Sequence, residues 1–208
     1  MNENFKIDIP GYHERSGKMK QLILASESPR RKQLLSQVGI IYESRKPAFD
    51  ESSVKEKDPE TLVKLLAEHK GNAVTMADHE VILSADTVVS YQGTVLAKPH
   101  TKQEAYKMLQ QLNGQKHYVY TGVMIRSVEK QVLYAVETAV EFWQLTDEEL
   151  YNYVEAGESL DKAGGYGIQS RGAQLVKGIE GDYYNVVGLP ISTVVHNLKD
   201  FQIFPLLS

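Results

Sequence analysis

Residues 22–35, LILASESPRRKQLL, pass from a short apolar run to a helix start within four positions. Leu22–Ala25 reads as a buried strand. Ser28 then offers an N-cap hydroxyl, Pro29 suits the first helical position, and Gly39 is placed to stop the helix. A buried strand feeding straight into a helix is the opening unit of an α/β domain. Arg30 and Arg31 complicate that unit, because cations in a first helical turn are disfavoured by a few tenths of a kcal/mol. The carboxyl end of a strand meeting a helix N-terminus is also where α/β folds bind anions. With a polyphosphate there, the dipole, both guanidinium groups and the hydroxyls of Ser26 and Ser28 act in one direction. The alternative is a pair of solvated first-turn arginines with Glu27 as partner.

Further along, Asp58-Pro59 predicts a second helix to about Ala73, and VILSADTVV (81–89) a strand carrying a carboxylate. YQGTVLAKP reads as a turn, a short extended piece and a stop. Thr101 and Glu104 form a capping-box pattern for a helix ending near Gly114, and Thr146 with Glu149 repeats it for one ending near Gly157. HYVYTGVMIRS and QVLYAVETAVEFWQL are rich in β-branched and aromatic residues and read as paired strands. DKAGGYGIQ (161–169) is a glycine-rich loop, and GDYYNVVGLP predicts a turn and strand before a final helix near Ile191–Leu198. Strands and helices alternate at first, and consecutive strands then dominate. The expected fold is α/β, a mixed sheet flanked by helices, as one two-lobed domain over 21–208 preceded by a polar extension over 1–20.

A net charge of −4 argues against nucleic-acid binding through a basic surface, so any anion site must be a local cluster. The chain has no cysteine, which excludes disulfides, thiolate catalysis and cysteine zinc sites, and fits a cytoplasmic protein. Its six histidines show no close metal-ligand spacing. No apolar run approaches the roughly 18 residues of a membrane span, and the first twenty residues lack a signal-peptide apolar segment.

Asp86 lies among Val81, Ile82, Leu83, Val88 and Val89, where an unpaired carboxylate costs several kcal/mol. It needs a cation, a metal or donors, which makes it a candidate general base or metal ligand, unless it is a turn Asp beside Thr87. Pro99 holds Lys98 in extended backbone, presenting a cation or merely a solvated lysine. Gly164, Gly165 and Gly167 allow close approach of backbone to a ligand, with Lys162 adding a cation and Gln169 an amide able to read a base. The loop is not a G-x-x-x-x-G-K-[ST] sequence, which disfavours a P-loop enzyme. Glu51 and Lys70 could add a metal-facing carboxylate and a further cation, or lie on the surface. Together these residues describe a polyphosphate site on a non-P-loop fold.

LILASESPRRKQLL, SADTVV followed by AKP, YTGV, DKAGGYGIQ and GDYYNVVGLP occur in the order that resembles the Maf family of nucleotide pyrophosphatases, over about residues 21–200. The resemblance implies an elongated twisted sheet with two lobes around a central cleft, similar to inosine triphosphate pyrophosphatase. It implies hydrolysis of a nucleoside triphosphate to monophosphate and pyrophosphate with Mg²⁺ or Mn²⁺, and a homodimer. On matching positions Asp86 would activate water and, with Glu51, face the metal, and Ser26, Arg31, Lys70 and Lys98 would grip phosphates; Lys162, the cation of the glycine-rich loop, is a further phosphate-binding candidate. Arg30, Thr87 and Gln169 match the positions that set base preference, and are similar to the branch acting on dTTP and UTP. Ala97 stands where relatives often carry Gly, and the extension over 1–20 has no counterpart. A nucleotidyltransferase, or a nucleotide-binding regulator of septum formation, is the alternative.

Overall fold

The computed structural model describes residues 20–206, so the expected extension lies outside the described residues but for Lys20. The first unit forms as its sequence requires. Strand β1 (Gln21–Leu24) runs into helix α1 (Pro29–Gln37), where the Ser28 hydroxyl accepts a hydrogen bond from the Arg31 backbone N–H. The helix ends beside Gly39, whose φ of +70° reverses the chain. There follow β2 (Glu43–Ser44), α2 (Pro59–Asn72), β3 (Glu80–Tyr91), β4 (Thr94–Leu96), α3 (Lys102–Leu112), β5 (Lys116–Arg126) and β6 (Gln131–Phe142). Helix α4 (Asp147–Glu155), β7 (Val176–Glu180), α5 (Tyr183–Val187) and α6 (Ile191–Leu198) complete the order.

The strands make one seven-stranded sheet in the order β2-β1-β3-β5-β6-β7, with β4 also on β3. Strand β1 is parallel to β2 and β3, and every other pairing is antiparallel, so the sheet is mixed as expected. The twelve-residue β3 is the spine. One of its edges pairs with β5 from Ile82 to Ser90. The other pairs with β1 as far as Leu83 and with β4 only from Val89, leaving Ser84–Val88 without a strand partner. That interruption divides the molecule. Val81, Leu83 and Ala85 pack with Leu34, Leu35, Val194 and Leu198 in one core. Val89 packs with Leu109, Val119, Phe142 and Leu150 in another. The long strands run through both, and Asp86 and Thr87 stand at the crossing.

Helix α2 crosses the sheet at Gly122, the cross-strand partner of Asp86. A Cβ at Gly122 would lie 2.1 Å from the Val63 carbonyl oxygen, so only glycine admits the helix at this depth.

Two expectations are corrected. GDYYNVVGLP forms the short helix α5 and no strand: the Asp182 carboxylate caps Tyr184 N–H at 2.7 Å, and Gly188 at φ +123° ends the turn. Capping overrides the β preference of Tyr and Val there. The box at Thr101 is half formed, since the Glu104 carboxylate accepts from His100 N–H; Thr146 and Glu149 form theirs in full.

The second core contains an ionisable group. His117 is fully buried, edge-on to Phe142 and Tyr166, with Nε2 2.7 Å from the Tyr166 hydroxyl. Burial holds its pKa down to about 4 from 6.5, opposed more weakly by the Gln115 backbone. The fold therefore favours neutral imidazole. Its contribution is fully present above pH 6.5 and is lost as pH falls through 6.5 towards 4, in total about 3 kcal/mol. Urea midpoints at pH 7.5 and 5 should show most of this loss, about 2 kcal/mol, and His117→Gln should flatten the dependence. Equal slopes in the two proteins would show that the imidazole does not titrate in this window.

Candidate active site

Successive side chains of a strand point to opposite faces, so Asp86 and Thr87 enter the interruption from opposite sides. Asp86 turns towards α2. There the apolar stripe of Leu62, Leu66 and Ala67 puts Lys70, four residues beyond Leu66, on the buried face of the helix's last turn. A cation is favoured at a helix C-terminus. The Lys70 ammonium bonds the Asp86 carboxylate and reaches Glu51 Oε1 at 2.8 Å. Asp86 and Lys70 are each 8% exposed, so the turn reading of Asp86 and the surface reading of Lys70 both fall. Burial alone would raise the Glu51 pKa. The hydrogen bond from Lys70 and the charges of Lys70, Lys98 and Arg31 outweigh it and hold Glu51 below the usual carboxylate range.

Thr87 turns the other way, towards α1 and α5. Arg31 is buried here and donates from Nε to the Gly188 carbonyl at 2.8 Å, from Nη2 to Thr87 Oγ1 at 3.2 Å and from Nη1 to Ser26 Oγ at 3.4 Å. Burial lowers its pKa, and the charge of Asp86 opposes that. Ser26 Oγ also accepts from Ser28 N–H at 3.2 Å, which ties the loop before α1 to the guanidinium.

Arg30 does not meet Glu27, which pairs instead with Lys46. Its partner is Asp161 of the glycine-rich loop, at 3.0 Å. Lys162 binds the same carboxylate at 2.6 Å and donates to the Glu158 carbonyl. Hydrogen bonds from Lys162 and Arg30 overcome burial and lower the Asp161 pKa. Gly167 leaves room for the Lys162 side chain, whose Cδ and Cε would lie 2.8 and 2.9 Å from an added Cβ. The loop itself is docked by the Tyr166 ring and by Gly167 N–H donating to the Tyr153 hydroxyl at 3.3 Å. Lys98 stands exposed on the rim.

All ten side chains singled out from the sequence line one cleft of about 1120 Å³. It pairs a buried carboxylate with several cations, the combination needed to hold an anion beside a proton acceptor. Sequence reasoning missed Asp161, Thr121 and Asn185. The last carried a legible signal, a side-chain amide in an apolar run, which like Asp86 must find partners once buried.

Among the described residues no three His, Cys, Asp or Glu side chains cluster as a metal cage. The carboxylates of Asp86 and Glu51 nevertheless converge on one cationic point, the Lys70 ammonium. Mg²⁺ is commonly held by one or two carboxylates together with substrate phosphates and water, so this donor set fits such an ion. Among the described residues no helix is long and apolar enough to cross a membrane.

The family model described as Maf-like protein matches residues 21–201. A dTTP/UTP pyrophosphatase of Geobacillus sp. (strain WCH70) is 51% identical over 184 residues, covering 87% of this chain and 98% of the relative. A protein of the same name from Bacillus cereus (strain G9842) is 48% identical over 187 residues, covering 89% and 97%. Among solved structures, a HAM1 protein from Coxiella burnetii aligns with a TM-score of 0.51 at 13% identity, over 88% of this chain and all of that one, a likeness of fold.

Proposed function

The chain belongs to the Maf-like protein family, and from that premise we propose that it hydrolyses pyrimidine nucleoside triphosphates, dTTP and UTP, to the monophosphate and pyrophosphate. Water attacks the α-phosphorus, the bond to the α,β-bridging oxygen breaks with pyrophosphate leaving, and the water proton passes to Asp86. The observation that carries this reading is a buried carboxylate on the floor of a cleft that also gathers Arg31, Lys70 and Lys98. A proton acceptor and fixed positive charge are what phosphate-anhydride hydrolysis requires, because the phosphoryl oxygens remain negative throughout.

Ser26, Arg31, Lys70, Lys98 and Lys162 supply donors for the phosphates. Lys162 must share or release Asp161 to do so, as must Arg30 to meet a base. Asp86 and Glu51 are the groups that would hold Mg²⁺ or Mn²⁺, which supplies charge neutralisation on the phosphates. A cytoplasmic enzyme and a homodimer remain part of the proposal, the second to be read by light scattering.

The test is pyrophosphate release across dTTP, UTP, CTP, ATP, GTP and 7-methyl-GTP with either metal. Rapid release from dTTP and UTP, with monophosphate as co-product, is the expected result. Release only in the presence of a second substrate would make the protein a transferase. Preference for 7-methyl-GTP would keep the chemistry and overturn the assignment of Arg30, Thr87 and Gln169 to pyrimidine reading.

Arg30 and Gln169 lie at the mouth of the glycine-rich loop, where an amide and a guanidinium can face a base. Gln169→Ala should lower kcat/KM for dTTP about tenfold with little change for ATP, the size of one lost hydrogen bond. An equal loss for both nucleotides would move Gln169 to phosphate binding or structure.

A further inference from the structure

Helix α5 and the YTGV segment of β5 take no direct part in the chemistry proposed above, yet both end on Arg31. We propose that Thr121 and Asn185 are positioning residues that set the orientation of the Arg31 guanidinium through a one-way chain of hydrogen bonds. The inference rests on the proposed role of Arg31 in gripping phosphate, and extends it to residues that touch neither phosphate nor base.

The direction of the chain follows from counting protons. The Thr121 hydroxyl donates to the Asn185 backbone carbonyl at 3.0 Å, which can only accept. Its single proton is then spent, so Thr87 donates in the 2.9 Å contact with Thr121; the other acceptor in reach of the Thr87 hydroxyl, the Gly188 carbonyl, lies farther off at 3.5 Å. That leaves Thr87 Oγ1 with lone pairs alone, and these accept from Arg31 Nη2 at 3.2 Å. This is the arrangement that satisfies both of the shorter hydroxyl contacts, since Thr87 donating to the Gly188 carbonyl and Thr121 to Thr87 would leave the Asn185 carbonyl without its 3.0 Å donor, and linked bonds of this kind polarise one another in a low-dielectric interior.

The far end is held as firmly. Asn185 is fully buried, and its amide donates to the Val119 carbonyl and to Thr138 Oγ1, both at 3.0 Å. The short helix is thereby pinned to β5 and β6. Three residues later the same segment supplies the Gly188 carbonyl that accepts from Arg31 Nε. Two of the three arms on the guanidinium, the direct one and the one through Thr87, therefore depend on where α5 sits, and the third goes to Ser26. The arrangement also explains why a buried arginine adopts one orientation while retaining N–H groups for a ligand, since a guanidinium carries five donors.

Thr121→Val keeps the side-chain shape and removes the hydroxyl; Thr121→Ser restores it. Two readouts are taken. Calorimetry follows binding of an α,β-imido analogue of dUTP, and nitrogen-15 NMR follows the Arg31 Nε–H without ligand. Thr121→Val should weaken analogue binding about tenfold, and Thr121→Ser should recover most of it. In an Arg31→Met background the same Thr121→Val change should cost less than about twofold, because nothing remains to be positioned. The Arg31 Nε–H resonance should shift and exchange faster in Thr121→Val, and Asn185→Leu should do the same where it folds. Full additivity with Arg31→Met, or an unmoved Arg31 resonance, overturns the inference. A wild-type protein that does not bind the analogue, yet whose Arg31 resonance still moves in Thr121→Val, overturns the proposed reaction and leaves the positioning intact.

Discussion

Asp86→Asn should lower kcat for pyrophosphate release by about a thousandfold while the affinity for a non-hydrolysable dUTP analogue stays within a few-fold, the signature of a lost proton acceptor. The substitution preserves shape, and the asparagine carbonyl still accepts a hydrogen bond from Lys70. What it cannot do is take a proton from attacking water. Much of the binding rests on groups away from Asp86, since Arg31 is held by Ser26, Thr87 and Gly188 on the opposite face of β3. A single-turnover measurement separates the cases. A slow chemical step with a normal Kd assigns Asp86 to catalysis, and a variant with wild-type kcat removes it from the mechanism. A variant that fails to bind would show that the hold of Asp86 on the metal, rather than proton transfer, dominates its contribution. The expected loss is large because Asp86 is the buried carboxylate of the cleft, whereas the side chain of Glu51 is 48% exposed.

Local chemistry made much of this arrangement readable in advance. The strand, cap and arginines of residues 22–35 are all nearest-neighbour signals, and each element formed where those signals placed it. The long paired strands followed from β-branched composition. The failures lie where capping, tertiary context or distance in the chain outweighed local propensity. Tyr183–Val187 is strand-like in composition, but Asp182, Gly188 and the buried Asn185 amide turn it into a helix against the sheet. Strands β2 and β7 are short and mostly exposed, and carry too little periodicity to be seen. In the site, Asp86 was legible because a carboxylate in an apolar run demands an explanation. The Arg30 partner was not, since Asp161 lies 131 residues away and no local pattern links them. Lys70 was ambiguous for a subtler reason: a lysine at helical spacing from buried leucines is either a snorkelling stem or a committed ion-pair partner. Only the position of Asp86 across the Gly122 approach decides between them.

That decision gives Lys70 the largest expected effect on stability. Lys70→Met keeps the stem and removes the ammonium, leaving the Asp86 carboxylate buried beside Glu51 with no cation between them. Deleting one member of a buried pair costs on the order of 3–5 kcal/mol, because the surviving charge has lost both water and partner. Glu51 can turn its half-exposed carboxylate to solvent and adds little. The lower end of the range, about 3 kcal/mol, is therefore expected, or roughly 10 °C in Tm for a chain of this size. Two controls give the number its meaning. Adding Asp86→Asn to Lys70→Met should recover much of the loss, since the unpaired charge is then gone. Mg²⁺ or Mn²⁺ should raise the Tm of Lys70→Met more than that of wild type, because a divalent ion can stand where the ammonium stood between two carboxylates. If Asp86→Asn brings no recovery, the loss belongs to packing of the lysine stem. If the metal stabilises both proteins equally, Asp86 and Glu51 are not its ligands. Recovery by both routes would identify Lys70 as the resident counter-ion of the metal-facing carboxylates, a cation that holds the empty cleft together and can turn to phosphate when a metal ion replaces it.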